Sequence, residues 1–508
     1  MKKTLLALLM ASALVATGCG SKSGDSSKGS SSAQTTEQES SQIRPTTEEA
    51  SSEETSTSET QSEGTSGEST SGTSGTSSEA QSEGTSEEST SGTSSTSSEE
   101  SSSSEEGLQP AKLKIRFHVD AQSTEGTAYR KLIDAFNKEY AKYEIRVTAD
   151  YVARTAGDSA YERQLATDML DDTLPDVITF DAPNCAAYAN TGYLYDITDD
   201  LTKEEKSKYT TLNTYQGRTY GVPIQESSAG FYYNKNIFAR AGIDVSGITV
   251  ANPWTYEDFK NVCAKLANSG VTPVDMRLDA TKDETATYLL YPFIYASGGS
   301  FVDSTGKTAL GYFNSDASKR GFQFFKDLLN SNYTSYGIGA TDFHTGKVGM
   351  YLSSGWTIPE LDNKFPQTFP DRNAWGLLPY PKDVTVASAN GSWSYAVGNN
   401  GKNTKKQAVA LLKFLSNAES SKAITDATGM IPANRDVKTS YEPNSPEDVL
   451  IQQLYNTSIC RPVTVGYPQF SSAFSQVISG LGGTNDVSTL VNNKAQVLQN
   501  NLDRIRYN

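Results

Sequence analysis

Apolar residues alternate with polar ones in LKIRFHV (113–119), where Leu113, Ile115, Phe117 and Val119 share one side, as on a strand. The period then changes: across 127–142, Tyr129, Leu132, Ile133, Phe136 and Tyr140 fall on one helical face. A strand at 144–151, a helix at about 158–170 and the apolar strand DVITF (176–180) follow. This β-α-β-α-β order predicts an α/β fold with a parallel sheet, whose ligands sit beyond the carboxyl ends of strands. Those ends here are His118 to Gln122 and Asp181 to Asn184. Further on the pattern predicts helices at 255–268, with Thr255 and Asp258 as a capping box, and at 316–330, 403–425 and 487–506. Strand-like pieces stand between them at 346–352, 375–380 and 392–398.

The first 110 residues read differently. Met1-Lys2-Lys3, an apolar run from Leu5 to Val15 and the small residues Ala16-Thr17-Gly18 before Cys19 describe a secretory signal, too short to span a bilayer. From Gly20 to Pro110 the chain is nearly all Ser, Thr, Glu, Gly and Gln, with one unit copied at 61–80 and 81–100. Such a segment has almost no apolar surface to offset the entropy of ordering, so a disordered tether is expected. Its root-mean-square reach would be roughly 50 Å.

The tether carries most of the charge. It holds 18 acids and 3 bases, so −15 of the net −16 lies there, and residues 111–508 are near neutral at about −3. A nucleic-acid footprint is not expected. Three cysteines besides Cys19 (Cys185, Cys263 and Cys460) cannot all pair with one another, so disulfides do not organise the fold; Cys263 is expected in the core with Phe259, Val262 and Leu266. No cofactor or metal is expected. His118 and His344 are the only histidines, no zinc spacing or EF-hand loop is present, and Gly306-Lys307-Thr308 lacks the earlier glycine of a phosphate-binding loop. Ser304 to Lys307 matches a Ser-x-x-Lys nucleophile motif without its companions and reads as chance.

Two resemblances join these parts. Ala16-Thr17-Gly18-Cys19 resembles the lipobox of bacterial lipoproteins, which implies cleavage after residue 18 and a lipid on Cys19. GRTYGVPIQESSAGFYYNKNIFARAGID (217–244) resembles the solute-binding proteins of sugar-importing ABC transporters, the group that includes maltose-binding protein. It departs from their pattern at Gln225 and Arg240. LPDVITFDAPNCAAYANTGYLYDIT (174–198), PWTYEDF (253–259), GKVGMYLSSGWTIPEL (346–361) and the segment 391–424 resemble further family segments in the family's order.

The resemblance implies a two-lobed periplasmic-binding-protein-like (type II) clamshell over 111–508, with ligand between the lobes. Lobe one is expected at about 111–226 and 378–416, lobe two at about 227–377 and 417–508. By position, the ligand-binding residues it implies are His118, Asp120 and Gln122 after the first strand, and Asp181 and Asn184 after the third. Gln225, Glu226, Ser227 and Ser228 fill the loop before GFYYN. Trp356 and Trp393 complete the set. Planar polar groups suit sugar hydroxyls, and aromatic faces suit sugar C–H faces.

The expected function is an extracytoplasmic, lipid-anchored receptor, monomeric, that hands a carbohydrate to an ABC permease. The long polar spacer looks like those of Gram-positive surface receptors. The same fold binding a polyol, glycerol phosphodiester or peptide is the alternative. A surface glycosidase using Asp181 and Glu226 as paired carboxylates is a third reading. The named loops hold acids but no Arg or Lys, which leans toward a neutral, hydroxyl-rich ligand.

Overall fold

Leu113, Ile115 and Phe117 enter a buried core from β1 (Ala111–Phe117), where they meet Tyr129, Leu132, Ile133 and Phe136 of the helix Thr124–Glu139. A computed structural model describes residues 107–154, 160–280 and 284–507. The expected signal segment, Cys19 and the tether as far as Glu106 lie outside the described residues. β2 (Ile145–Tyr151) and β3 (Val177–Asp181) flank β1, both parallel to it, as the alternating pattern predicts. β4 (Asn213–Tyr215) pairs antiparallel with β5 (Arg218–Ser227) at the far side of this first sheet.

One residue, Ser228, separates β5 from β6 (Ala229–Asn234), which belongs to a second sheet. That sheet has the order β7-β8-β6-β9, with β7 (Thr272–Asp275), β8 (Val348–Ser354) and β9 (Trp375–Leu378). Its core gathers Phe231, Met350 and Leu352 from the strands and Phe259, Leu290, Phe293, Phe325 and Phe470 from the helices around them. Cys263 is buried there with Phe259, Val262 and Leu266 as expected, and Thr255 and Asp258 form the predicted capping box. Each sheet therefore closes over its own apolar core, which makes two lobes.

The chain returns to the first sheet after a short strand, β10 (Ser388–Ala389). β11 (Gly391–Val397) inserts antiparallel between β3 and β5. The expected single helix at 403–425 is two helices, Lys405–Leu415 and Ala418–Thr428. Ser416 turns its hydroxyl back on the Leu412 carbonyl, and Asn417 caps the second helix through the Ser420 amide. Local side-chain bonds of this kind compete with a continuous helix.

The split corrects an expected boundary. Residues 417–432, expected in lobe two, belong with lobe one: Ile424 joins the first core and β12 (Ile431–Pro432) pairs with β5. The chain passes to the second lobe only after Pro432, with the helix Pro446–Asn456 packing on β9. β13 (Ser458–Ile459) then pairs with β10.

Candidate functional site

The crossing between the sheets carries an unbroken run of buried polar residues, Gln225, Glu226, Ser227 and Ser228. In register, Glu226 stands opposite Ser392 of β11 and Ile431 of β12, so it lies in the middle of three strands. Its Oε1 accepts a hydrogen bond from Thr210 Oγ1 at 2.5 Å, while Oε2 has no partner. Burial pushes this carboxyl up to about 7, against the opposing pull of Thr210 and Arg435. Gln225 Oε1 and Ser228 Oγ are also buried without a partner. Buried polar atoms are nearly always paired, so three orphans in four consecutive residues mark a place where a ligand or water supplies the partners.

The second lobe answers across this crossing with Tyr288, on the helix Thr285–Ala296. Its hydroxyl donates to Ser227 Oγ at 2.9 Å, and Ser227 in turn donates to the Gly391 carbonyl at 2.9 Å. Ser354, the last residue of β8, donates to the Ser228 carbonyl at 2.5 Å. Trp356 follows two residues later. Its ring lies 6.0 Å from that of Tyr288 and stays 38% exposed, unusual for so large an apolar side chain. An open aromatic face beside hydroxyls is the arrangement a sugar ring requires.

A lateral row runs along the first sheet, where Trp393 pairs with Asp181 of β3 on one side and Gln225 of β5 on the other. Trp393 is half-buried, and His118 stacks flat on its ring with centroids 3.5 Å apart. The Arg154 guanidinium lies 5.1 Å from the same ring. His118 Nδ1 sits 3.0 Å from Thr179 Oγ1, and burial, with Arg154 adding to it, holds the imidazole well below its usual range and hence neutral.

Asp120 and Gln122 are exposed at the rim. Asp120 Oδ1 accepts from the Gln122 amide at 2.6 Å, which shapes the turn into the following helix. Asn184 is half-buried at the start of the helix Cys185–Asn190 and makes no capping bond.

Asp181 is fully engaged. Arg461 Nη2 donates to its Oδ1 at 2.7 Å and Nη1 to its Oδ2 at 2.9 Å, and Nη1 also reaches Glu284 Oε1 at 2.7 Å. The guanidinium lies 5.4 Å from the Tyr288 ring, and Glu284 is bonded in addition by Tyr467 and Ser471. Arg461 brings a cation to Asp181 from outside the loops singled out in the sequence, which hold no Arg or Lys of their own. It is 280 residues from Asp181 in sequence and falls in a stretch with no periodicity, so no local signal announces it. Tyr288 shares its apolar helix with Tyr291 and Tyr295, and nothing in that stretch of sequence separates a site tyrosine from a core one. Among the described residues no three or more of His, Cys, Asp and Glu gather as a metal site would need.

Comparisons agree with this architecture. A binding protein of Brucella abortus is 24% identical over 277 residues, spanning 52% of this chain and 63% of its own length; the match thus covers less than two thirds of that relative. The maltooligosaccharide ABC transporter solute-binding lipoprotein of Streptococcus pneumoniae is 24% identical over 73% of this chain and 86% of its own. The crystal structure of a cyclic α-maltosyl-1,6-maltose binding protein from Arthrobacter globiformis superposes with a TM-score of 0.65 at 22% identity, covering 78% of this chain and 100% of that one. The model of the bacterial extracellular solute-binding protein family matches residues 120–422. With well over half of the chain inside that match and the two-lobed fold in place, the chain belongs to the bacterial extracellular solute-binding proteins.

Proposed function

We propose that this protein is an extracytoplasmic receptor that holds a carbohydrate, of oligosaccharide length, between its lobes and hands it to an ABC permease. The observation that carries the reading is the juxtaposition at the crossing. Buried oxygens of Gln225, Glu226 and Ser228 without a partner lie in the segment whose Ser227 accepts from Tyr288 of the second lobe, and Tyr288 neighbours the open ring of Trp356. The orphaned atoms supply hydrogen bonds to hydroxyls and the ring supplies a stacking face. Relatives named for maltooligosaccharide and cyclic maltosyl-maltose support that ligand class.

Residues 1–18 are read as a signal that is removed, Cys19 as the lipidated anchor and 20–110 as the tether to the outer face of the membrane. Among the described residues no helix is long and apolar enough to cross a membrane. Tethering keeps a monomeric receptor at high local concentration beside its permease. Contacts from both lobes to one ligand favour the closed arrangement over the open one. A role in hydrolysis is not part of this reading: Asp181, one of the two carboxylates it needs, is occupied by Arg461.

The test is a thermal-shift and calorimetric screen of the full chain against mono- and oligosaccharides. A concentration-dependent rise in melting temperature with one saccharide series is expected. A folded protein that responds to none of them overturns the carbohydrate reading.

A further inference from the structure

Arg461 joins the two lobes at one edge of the cleft. Its carboxylate partner Asp181 ends β3 in the first sheet, whereas Arg461 itself precedes the helix Tyr467–Gly480, whose Tyr467 and Phe470 lie in the second core. The pairing is two-pronged, 2.7 and 2.9 Å, and both side chains are more than nine-tenths buried. The same edge carries two more contacts between lobes. Asn190 Nδ2 donates to the Arg506 carbonyl at 2.9 Å, and the helix Tyr467–Gly480 packs on the helix Cys185–Asn190.

The charges are divided in a way that suits repeated opening. Glu284 travels with Arg461: it immediately precedes the helix Thr285–Ala296 and is bonded by Tyr467 and Ser471 of the second lobe. Separation of the lobes would break the fork to Asp181 yet leave the guanidinium paired with Glu284. A buried charge left without any partner is strongly unfavourable, and this arrangement avoids that. Arg461 also lies 5.4 Å from the Tyr288 ring, whose hydroxyl reaches Ser227 at the crossing.

We propose that Arg461 is the positioning residue that clasps the lobes closed: its fork to Asp181 holds the cleft shut, and its bond to Glu284 keeps it paired when the cleft opens. This rests on the reading of the protein as a receptor whose lobes move, and its test uses no ligand. Hydrogen–deuterium exchange of the ligand-free full chain is compared with Asp181→Asn, which removes a charge at constant shape, and Arg461→Lys, which keeps the charge and loses the fork.

In Asp181→Asn, amides of 182–190 and 462–470 are expected to exchange roughly tenfold faster or more, since loss of one partner of a buried charge pair speeds separation. Amides of β1, β2, β6 and β8 should keep their protection. Arg461→Lys should accelerate the same two segments to a smaller degree. Should either variant fail to fold, the other still decides. Unchanged exchange in both segments, or acceleration spread evenly over both cores, overturns the clasp and leaves the carbohydrate reading untouched. A failed saccharide screen, in turn, leaves the clasp untouched.

Discussion

His118 and Trp393 lie face to face, 3.5 Å between ring centroids and 4° from parallel, so a side chain of the protein itself covers one face of the indole. Trp356 has no such cover and stands beside Tyr288 on the opposite lobe. The two tryptophans that look equivalent in the sequence thus differ in surroundings: Trp393 supports the end of the first sheet, and Trp356 is the one the proposed function assigns to stacking.

Substitution should separate them. Trp356→Ala is expected to weaken saccharide affinity roughly tenfold with little change in melting temperature, in keeping with the energy of an aromatic contact. Trp393→Ala should instead destabilise the fold by about 2 kcal/mol, as loss of a half-buried ring does. Calorimetric affinity and chemical denaturation, measured on both variants, check the assignment; the reverse pattern would exchange the two roles.

Glu226 makes stability depend on pH with a sign opposite to that of an ordinary paired carboxylate. Its folded value of about 7 lies above the 4.5 of the free group, so the folded chain holds a proton that the unfolded chain has released between those pH values. Stability is therefore lost as pH rises through that window, by on the order of 3 kcal/mol if this carboxyl acted alone. Glu226→Gln should be the more stable protein at pH 8 and equal to wild type near pH 4. Melting curves across pH 4–8 for both proteins test this; parallel curves would refute it.

Gly355 and Gly429 bring two backbones together beside the crossing. A methyl group on Gly355 would lie 2.5 Å from the Gly429 carbonyl oxygen, and Gly429 itself has φ +71. Gly355→Ala should therefore cost about 1–3 kcal/mol through overpacking, read as a lower denaturation midpoint. Gly429→Ala should lose stability too, through its left-handed backbone as well as its contact with Gly355.

Asn417 restarts the helix that Ser416 interrupts, by accepting from the Ser420 amide at 2.8 Å. Asn417→Ala should lower stability by about 1 kcal/mol, and Asn417→Ser should restore most of it, because capping needs only a short acceptor. Equilibrium denaturation of the pair distinguishes a cap from a merely tolerated surface residue.

Local order was legible in the chain alone. Leu113, Ile115 and Phe117 alternate because a strand places every second side chain on one face, and Tyr129, Leu132, Ile133 and Phe136 recur because a helix turns every 3.6 residues. The parallel β1–β2–β3 arrangement, the capping box at Thr255 and the burial of Cys263 follow from such short-range rules. Residues that are neighbours in sequence, such as Gln225 to Ser228, could also be picked out together.

What joins distant segments was not legible. No periodicity leads from Asp181 to Arg461, from His118 to Trp393, or from Gly355 to Gly429, since each contact exists only after two sheets have formed and met. The helix at 403–425 reads as continuous because its apolar spacing is unbroken; whether it bends at Ser416 depends on hydrogen bonds that compete within a kcal/mol. The chain by itself determined most of the elements, their apolar faces and the concentration of acidic residues before position 110. Tertiary packing alone decided which tryptophan stays open, which carboxylate is taken by an arginine, and where the lobes touch, because those are properties of pairs that the backbone brings together across hundreds of residues.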